Sequence, residues 1–367
     1  MMKKLFFFLL GTGLLMTAKA QFRKYSNEFL NIGAGARALG MGGANISTVK
    51  DGTAGYWNPA RMSAIEDDPS LSLMHAEYFA GIGKYDFGGI AIPVKSNKGR
   101  SIGFSFMRFG VDDIPNTLFL VEPDGSLNYN NIETFSSADY AFLVSMSQTI
   151  KETDNITISI GGNAKIIHRN VGKFAKAWGF GIDAGISISA EKWKLAAVLR
   201  DVTSTFNAWS FTFTEREKEV LYLTRNDIPE KSTELTAPRL ILGGAYHFDF
   251  SDKLSLTAEA SLETTFDGKR NTLIKTDAFS IDPRFGMELN LNEVLFLRGG
   301  ISNFQQALKD GDTTNRKKVW IYQPSLGAGF KINNIGIDYA FTNLANQNSP
   351  LYTHIVSLNI TLKRKNN

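Results

Sequence analysis

The 367-residue chain has no cysteine and only four histidines. Without cysteine there is no disulfide staple and no lipid-modified N-terminal cysteine. A fold in an oxidising compartment must then stand on its packing alone, which a chain of this size can do. His75, His168, His247 and His354 lie far apart, and none has the short spacing of a zinc site, so no metal and no cofactor is expected. Charge of one sign is also lacking. The formal charge is +4, and removing Lys3, Lys4 and Lys19 with a leader leaves +1. That balance gives no support to nucleic-acid binding, which needs a clustered basic face. Long apolar runs are absent after the first twenty residues, which excludes a transmembrane helix of roughly twenty residues. No Gly-x-Ser-x-Gly elbow and no paired carboxylates in a recognisable setting are present, so no enzyme is expected.

What is present begins with Met1-Met2-Lys3-Lys4, an apolar stretch from Leu5 to Met16, and the exit Ala18-Lys19-Ala20. A positive start, a short apolar core and small residues at the end read as a secretory signal peptide over residues 1–20. Cleavage after Ala20 would leave Gln21 as the mature N-terminus.

From Leu71 onward apolar and polar residues alternate with period two. Leu254, Leu256, Ala258, Ala260 and Leu262 oppose Ser255, Thr257, Glu259, Ser261 and Glu263. Phe285, Met287, Leu289 and Leu291 oppose Arg284, Gly286, Glu288 and Asn290. Such alternation means a strand with one apolar face. About fourteen segments of this kind occur over residues 70–367, most near the ten residues a tilted membrane strand needs. Tight turns such as Ser251-Asp252, Asn292-Glu293 and Asn333-Asn334 alternate with long connections over Gly110–Ser136, Val202–Ala237, Thr265–Asp282, Phe304–Tyr322 and Asn343–Thr353. A soluble sandwich or solenoid has no reason to alternate in this way. An outer-membrane barrel does, with short periplasmic turns and long external loops. An even strand number would then place both termini in the periplasm. Trp178, Trp193, Tyr246, Phe248, Phe250, Tyr339 and Phe341 are candidates for aromatic girdles against outer-membrane lipid. The fold class expected is all-β, a transmembrane antiparallel barrel.

Residues 21–69 do not alternate. Gly33, Gly35, Gly40, Gly42 and Gly43 precede Tyr56-Trp57-Asn58-Pro59-Ala60. Irregular backbone cannot face lipid, so this segment is expected to pack inside the barrel as a plug, with Arg37 reaching a lumen carboxylate. A strap lying below the barrel is the alternative. The Gly-x-Gly element of Gly33–Ala38 superficially fits a dinucleotide fingerprint, but Gly42 and Gly43 break the helix that fingerprint requires.

The stretch from Glu28 to Ala44, followed by Tyr56 to Ala60, closely resembles the start of the PorV/PorQ family of Bacteroidota outer-membrane proteins. These are similar in fold to the FadL long-chain fatty acid transporters. The resemblance implies a fourteen-stranded, FadL-like barrel with an N-terminal plug, in the outer membrane of a Gram-negative bacterium. It also implies protein partners, as secretion or surface-assembly subunits or cargo of a type IX-like machinery. One departure is the ending Lys363-Arg364-Lys365-Asn366-Asn367, where many barrels end in an aromatic residue.

Two groups of side chains are candidates for function. Asp183, Glu259, Glu263, Arg284, Glu288 and Arg298 fall on polar faces and would form a charge network if those faces line the lumen, with Arg37 or Asp51 as plug partners. Trp209, Phe211, Phe213 and Tyr222 lie in the longest connection and would suit a protein-docking loop. Two functions follow. The first is a docking component of secretion or surface assembly. The rival is a FadL-like transporter of hydrophobic small molecules, with a ligand in the lumen; glycine pairs Gly161-Gly162 and Gly299-Gly300 would mark kinked strands there.

Overall fold

The computed structural model of the protein describes residues 21–22, 25–65, 67–122, 124–308, 317–342 and 352–364. The leader read over residues 1–20 lies outside these, as do residues 343–351 and the last three of the chain.

Fourteen antiparallel staves close into one barrel. They are β1 (Ser70–Tyr78), β2 (Gly83–Pro93), β3 (Arg100–Asn116), β4 (Glu133–Glu152), β5 (Thr157–Val171) and β6 (Ala175–Ser189). Stave β7 comes in two pieces, Trp193–Arg200 and Phe206–Phe211, and β8 likewise in two, Ser232–Leu235 and Arg239–Ser251. The rest are β9 (Leu254–Thr265), β10 (Ser280–Leu291), β11 (Leu295–Leu308), β12 (Lys318–Ile332), β13 (Ile335–Thr342) and β14 (Thr353–Thr361). Pairing of β14 with β1, His354 opposite Glu77 through Thr361 opposite Ser70, closes the ring. Closure satisfies every stave's backbone and leaves no edge, as a lipid setting demands.

The faces sort as the alternation predicts. On β9, Ser255, Glu259, Ser261 and Glu263 are buried inward, while Leu262 is exposed outward. Phe285, Met287, Leu297, Leu326 and Val356 are likewise bare on the outside. A continuous bare apolar belt on a folded protein is a surface made for lipid. Met287 sits within the belt between its partners Ala258 and Gly299. Met287→Arg should cost about 2–4 kcal/mol of barrel stability, read as a lower urea midpoint in vesicles. Thr257→Arg, on the inward face beside the inner cavity, should cost less; equal costs would mean the faces are reversed.

The connections at one end of the barrel are tight. Asn292 and Glu293 take left-handed backbone there, as does Asn333. The opposite end carries the long loops. Two of its connections are nevertheless short, at residues 79–82 and 172–174. The long connection expected over Gly110–Ser136 shrinks to residues 117–132, because β3 and β4 run on past a bulge between Val111 and Ile114. The connection expected over Val202–Ala237 shrinks too: it contains the outer pieces of β7 and β8, and a capped helix. Strand that rises beyond the lipid no longer needs one apolar face, so the period-two signal ends before the strand does.

Residues before Ser70 overturn the expectation that both termini share a side. Gln21–Phe22 pairs in parallel with Glu234–Leu235, at the long-loop end. Stave β14 finishes beside Ser70, at the tight-turn end. The even strand count governs only the chain from Ser70 onward; the segment before it passes through the barrel.

Candidate functional site

Residues 25–65 thread the lumen from end to end. At the long-loop end, the Arg270 guanidinium lies 4.8 Å over the Tyr25 ring, and the Asn27 side-chain amide donates to Thr236 Oγ1 at 2.8 Å. At the tight-turn end, Arg61 Nη1 donates to Ser189 Oγ at 2.6 Å, close to the end of β6. Between them lie two short helices, α1 (Ala36–Gly40) and α2 (Ala54–Trp57). Neither has the length to be stable alone. Both are held by the wall: Ser357 Oγ accepts the Ala36 N–H at 2.7 Å, and Ser325 Oγ donates to the Gly40 carbonyl at 3.1 Å.

The motif residues make the plug's internal frame. Trp57 is buried, and its indole N–H donates to the Ala34 carbonyl at 2.7 Å, under Gly33 and Gly43. The Tyr56 hydroxyl donates to the Leu30 carbonyl at 2.7 Å, and the Arg200 guanidinium stacks 4.7 Å over the Tyr56 ring. Asn58 Oδ1 accepts the Ala60 N–H at 3.1 Å and starts the turn that Pro59 opens, while its amide reaches the carbonyls of Ile46 and, across the lumen, Ile186. Gly42 and Gly43 have φ of +66° and +79°, a region an L side chain rarely enters, and they end α1 with the Gly43 N–H donating to Ala38. Gly35 likewise has positive φ, where α1 begins.

Wall glycines answer the plug. A side chain at Gly300 would run into the backbone of Met41 and Gly42, and one at Gly161 into Pro59 and Ala60. Gly40 meets Gly327 backbone to backbone. Gly161 and Gly300 are therefore seats for the plug and not kinks; no register shift interrupts the ladder at either. Gly299, pointing the other way, has nothing within 4 Å of the place a side chain would start.

The six polar-face residues read from the sequence lie inside the lumen. Arg37 of the plug grips Glu288 with two hydrogen bonds of 2.9 Å. Arg298 joins Glu288 and Asp338 at 2.6 Å each. A second chain runs nearer the long-loop end. Lys165 bridges Asp183 and Asp201, Arg239 bridges Asp201 and Glu263, and Arg284 completes it on Glu263. Glu259 accepts the Ser47 N–H at 2.7 Å and the Thr48 hydroxyl at 2.6 Å, so it ties wall to plug, with no cation within ion-pair reach among the described residues. Asp51 turns back to Thr53 within the plug. Lys165, Asp201, Arg239 and Asp338 were missed. Lys165 and Asp338 hold inward positions on their staves and were open to the same reading. Asp201 sits in the break of β7, where no periodicity marks it.

The aromatic residues assigned to a docking loop divide. Trp209 and Phe211 lie on the outer piece of β7, with the Trp209 indole donating to Glu234 at 2.8 Å under Arg169. Phe213 stacks on Phe174. Tyr222 alone is fully outward, 78% exposed, on helix α3 (Glu215–Leu223). That helix starts with a capping box between Thr214 and Glu217, and Lys173 reaches Glu217 at 2.9 Å. Burial pushes the Glu217 carboxyl up, but the Thr214 N–H and Lys173 outweigh it and hold it below the ordinary range.

Above the plug, a vestibule of about 640 Å³ opens toward the long-loop end. Trp57, Leu39, Ile32, Tyr78 and Phe79 give it apolar surface, beside Glu263 and Arg284. Below the plug lie two cavities of about 400 and 950 Å³. Among the described residues no cluster of histidine and carboxylate side chains would hold a metal ion.

No family model matches the chain, and no curated protein does. Solved structures do match in fold. The toluene transporter TbuX of Ralstonia pickettii aligns with 90% of this chain and 99% of its own, at 13% identity and a TM-score of 0.55. The toluene transporter TodX of Pseudomonas putida aligns over 91% and 99%, at 12% identity and 0.53. The monoaromatic hydrocarbon channel CymD aligns over 91% and 98%, at 11% identity and 0.51. At such identities the likeness is one of fold: an all-β, FadL-like barrel of fourteen strands.

Proposed function

We propose that this chain is an outer-membrane barrel of a Gram-negative bacterium that admits small hydrophobic molecules through the vestibule above its plug. The observation that carries this reading is the apolar patch of Ile32, Leu39, Trp57, Tyr78 and Phe79 recessed within an otherwise polar vestibule, a concave setting in which ligand sites occur. The fold it shares with three hydrocarbon transporters and channels supports the reading, and so do the signal-like start and the apolar belt. The plug is seated on wall backbone, so passage requires it to shift. Trp57 floors the vestibule and reports on occupancy. Titration of the purified protein with bromobenzene, a heavy-atom quencher, should quench part of the tryptophan fluorescence saturably, and Trp57→Phe should abolish that component. Linear quenching, identical in both proteins, would sink the proposal.

A second reading makes the chain a docking subunit of a type IX-like secretion or surface-assembly machinery of Bacteroidota. It rests on the PorV/PorQ resemblance of Glu28–Ala60 and on α3, whose capped frame holds Tyr222 and Leu223 out in solvent, 78% and 71% exposed. A stable protein partner recovered from native membranes and lost in Tyr222→Asp would favour it.

A further inference from the structure

We propose that the tight-turn mouth of the lumen holds an oxyanion site, centred on Arg61 and Lys194, for the carboxylate of an amphipathic acid or for free phosphate. The lumen cations Arg37, Lys165, Arg239, Arg284 and Arg298 each have a carboxylate partner. Arg61 and Arg200 have none among the described residues, although both are buried. Arg200 is covered by the Tyr56 and Trp57 rings and donates to the Leu30 and Tyr56 carbonyls. Arg61, 95% buried, lines a cavity instead. Its Nε donates to the Val49 carbonyl at 3.3 Å, and its Nη1 to the hydroxyls of Ser187 and Ser189 at 3.4 and 2.6 Å. All three acceptors are neutral, and Nη2 has no partner among the described residues. A buried guanidinium without a counter-charge is expensive. It is held here by the plug's last turn, Pro59–Ala64, at the wall of the 950 Å³ cavity.

Lys194 of β7 lines that cavity and also the 400 Å³ cavity beside it, again with no carboxylate within 4 Å among the described residues. The larger cavity is lined by seven cationic side chains and three acidic ones, Asp67, Asp68 and Glu152. Glu152 is taken by Lys98 at 3.2 Å, and Asp68 accepts the Arg364 N–H at 2.9 Å. The smaller cavity is balanced, with Asp51, Glu191, Glu288, Glu293 and Asp338 against five cations, so the charge imbalance lies on the Arg61 side. An excess of one sign in a recessed mouth concentrates the opposite ion. An oxyanion would accept from the free Nη2 and from the ammonium together, as charge-assisted bonds. A neutral hydrocarbon gains nothing there, so the proposal stands apart from passage of neutral molecules.

The full chain in neutral detergent can be titrated calorimetrically with sodium octanoate, with octanamide as the uncharged match, and with inorganic phosphate. Octanoate should bind where octanamide does not. Lys194→Gln should weaken it by about tenfold, the scale of one charged hydrogen bond, while Lys194→Arg should keep most of the affinity. Binding of phosphate but not octanoate, with the same dependence on Lys194, would assign the site to free phosphate. Absence of binding by either anion would overturn the proposal. So would octanamide binding with the same dependence on Lys194, or Lys194→Gln binding octanoate like the natural chain.

Discussion

Gly300→Val should unseat the plug, whereas Gly299→Val, one residue away, should leave it in place. The two glycines share a stave and differ only in the side they face. A side chain at Gly300 meets the Met41 and Gly42 backbone. Backbone there has little freedom to yield, because Gly42 is itself held at positive φ next to Phe285 and Ile301. Overpacking typically costs 1–3 kcal/mol, and more where main chain is struck. The wall is closed by thirteen further staves, so the barrel should still assemble and the cost should fall on the plug. Limited proteolysis of membranes reads this directly. Cleavage within residues 33–60 should be fast in Gly300→Val and slow in Gly299→Val. Equal resistance would mean the plug tolerates the intrusion and is not fixed by this seat.

Arg298→Met should be the most damaging single change in the charge network. Arg298 is buried and satisfies Glu288 and Asp338 at once. Methionine fills similar space but leaves Asp338 without its cation and Glu288 with Arg37 alone. Removing one member of a buried ionic group typically costs 3–5 kcal/mol, because the survivors stay buried and charged. Lys218→Met on the exposed face of α3, which breaks the pair with Glu215 at 2.7 Å, should cost under about 1 kcal/mol. Urea midpoints of the refolded barrel measure both. The double change Arg298→Met, Asp338→Asn should recover part of the loss, since it neutralises the carboxylate left without a cation while Glu288 keeps Arg37. No difference between Arg298→Met and Lys218→Met would mean the network is solvated and contributes little.

Much of the architecture was legible before any coordinates. Lipid outside and a polar interior impose period two on every stave, and that constraint acts residue by residue. Leu262 against Glu263, or Phe285 against Arg284, can be sorted from the sequence alone. The count of fourteen followed, and so did the inward placing of Glu259, Glu288 and Arg298. The signal ended where the constraint ended. Above the lipid belt β3, β4, β7 and β8 continue with no apolar face, so Trp209 and Phe211 read as loop.

Other features had no local signature at all. That Gly300 seats the plug while Gly299 faces away depends on which main chain crosses the lumen at that height. That Asp201 joins Lys165 and Arg239 depends on a break in β7 where alternation is lost. Gln21–Phe22 was expected at the opposite end because strand parity says nothing about a segment that threads the ring. Nothing in the sequence marked Arg61, because its lack of a counter-ion is a fact about distances. The sequence by itself determined the wall, because each wall residue answers to lipid or lumen independently of its neighbours. Only the tertiary structure decided the path of the plug, the ion pairs and the cavities, because these are set by contacts between residues on different staves and on the plug, such as Arg298 with Glu288 and Arg37 with Glu288, 10 and 251 positions apart.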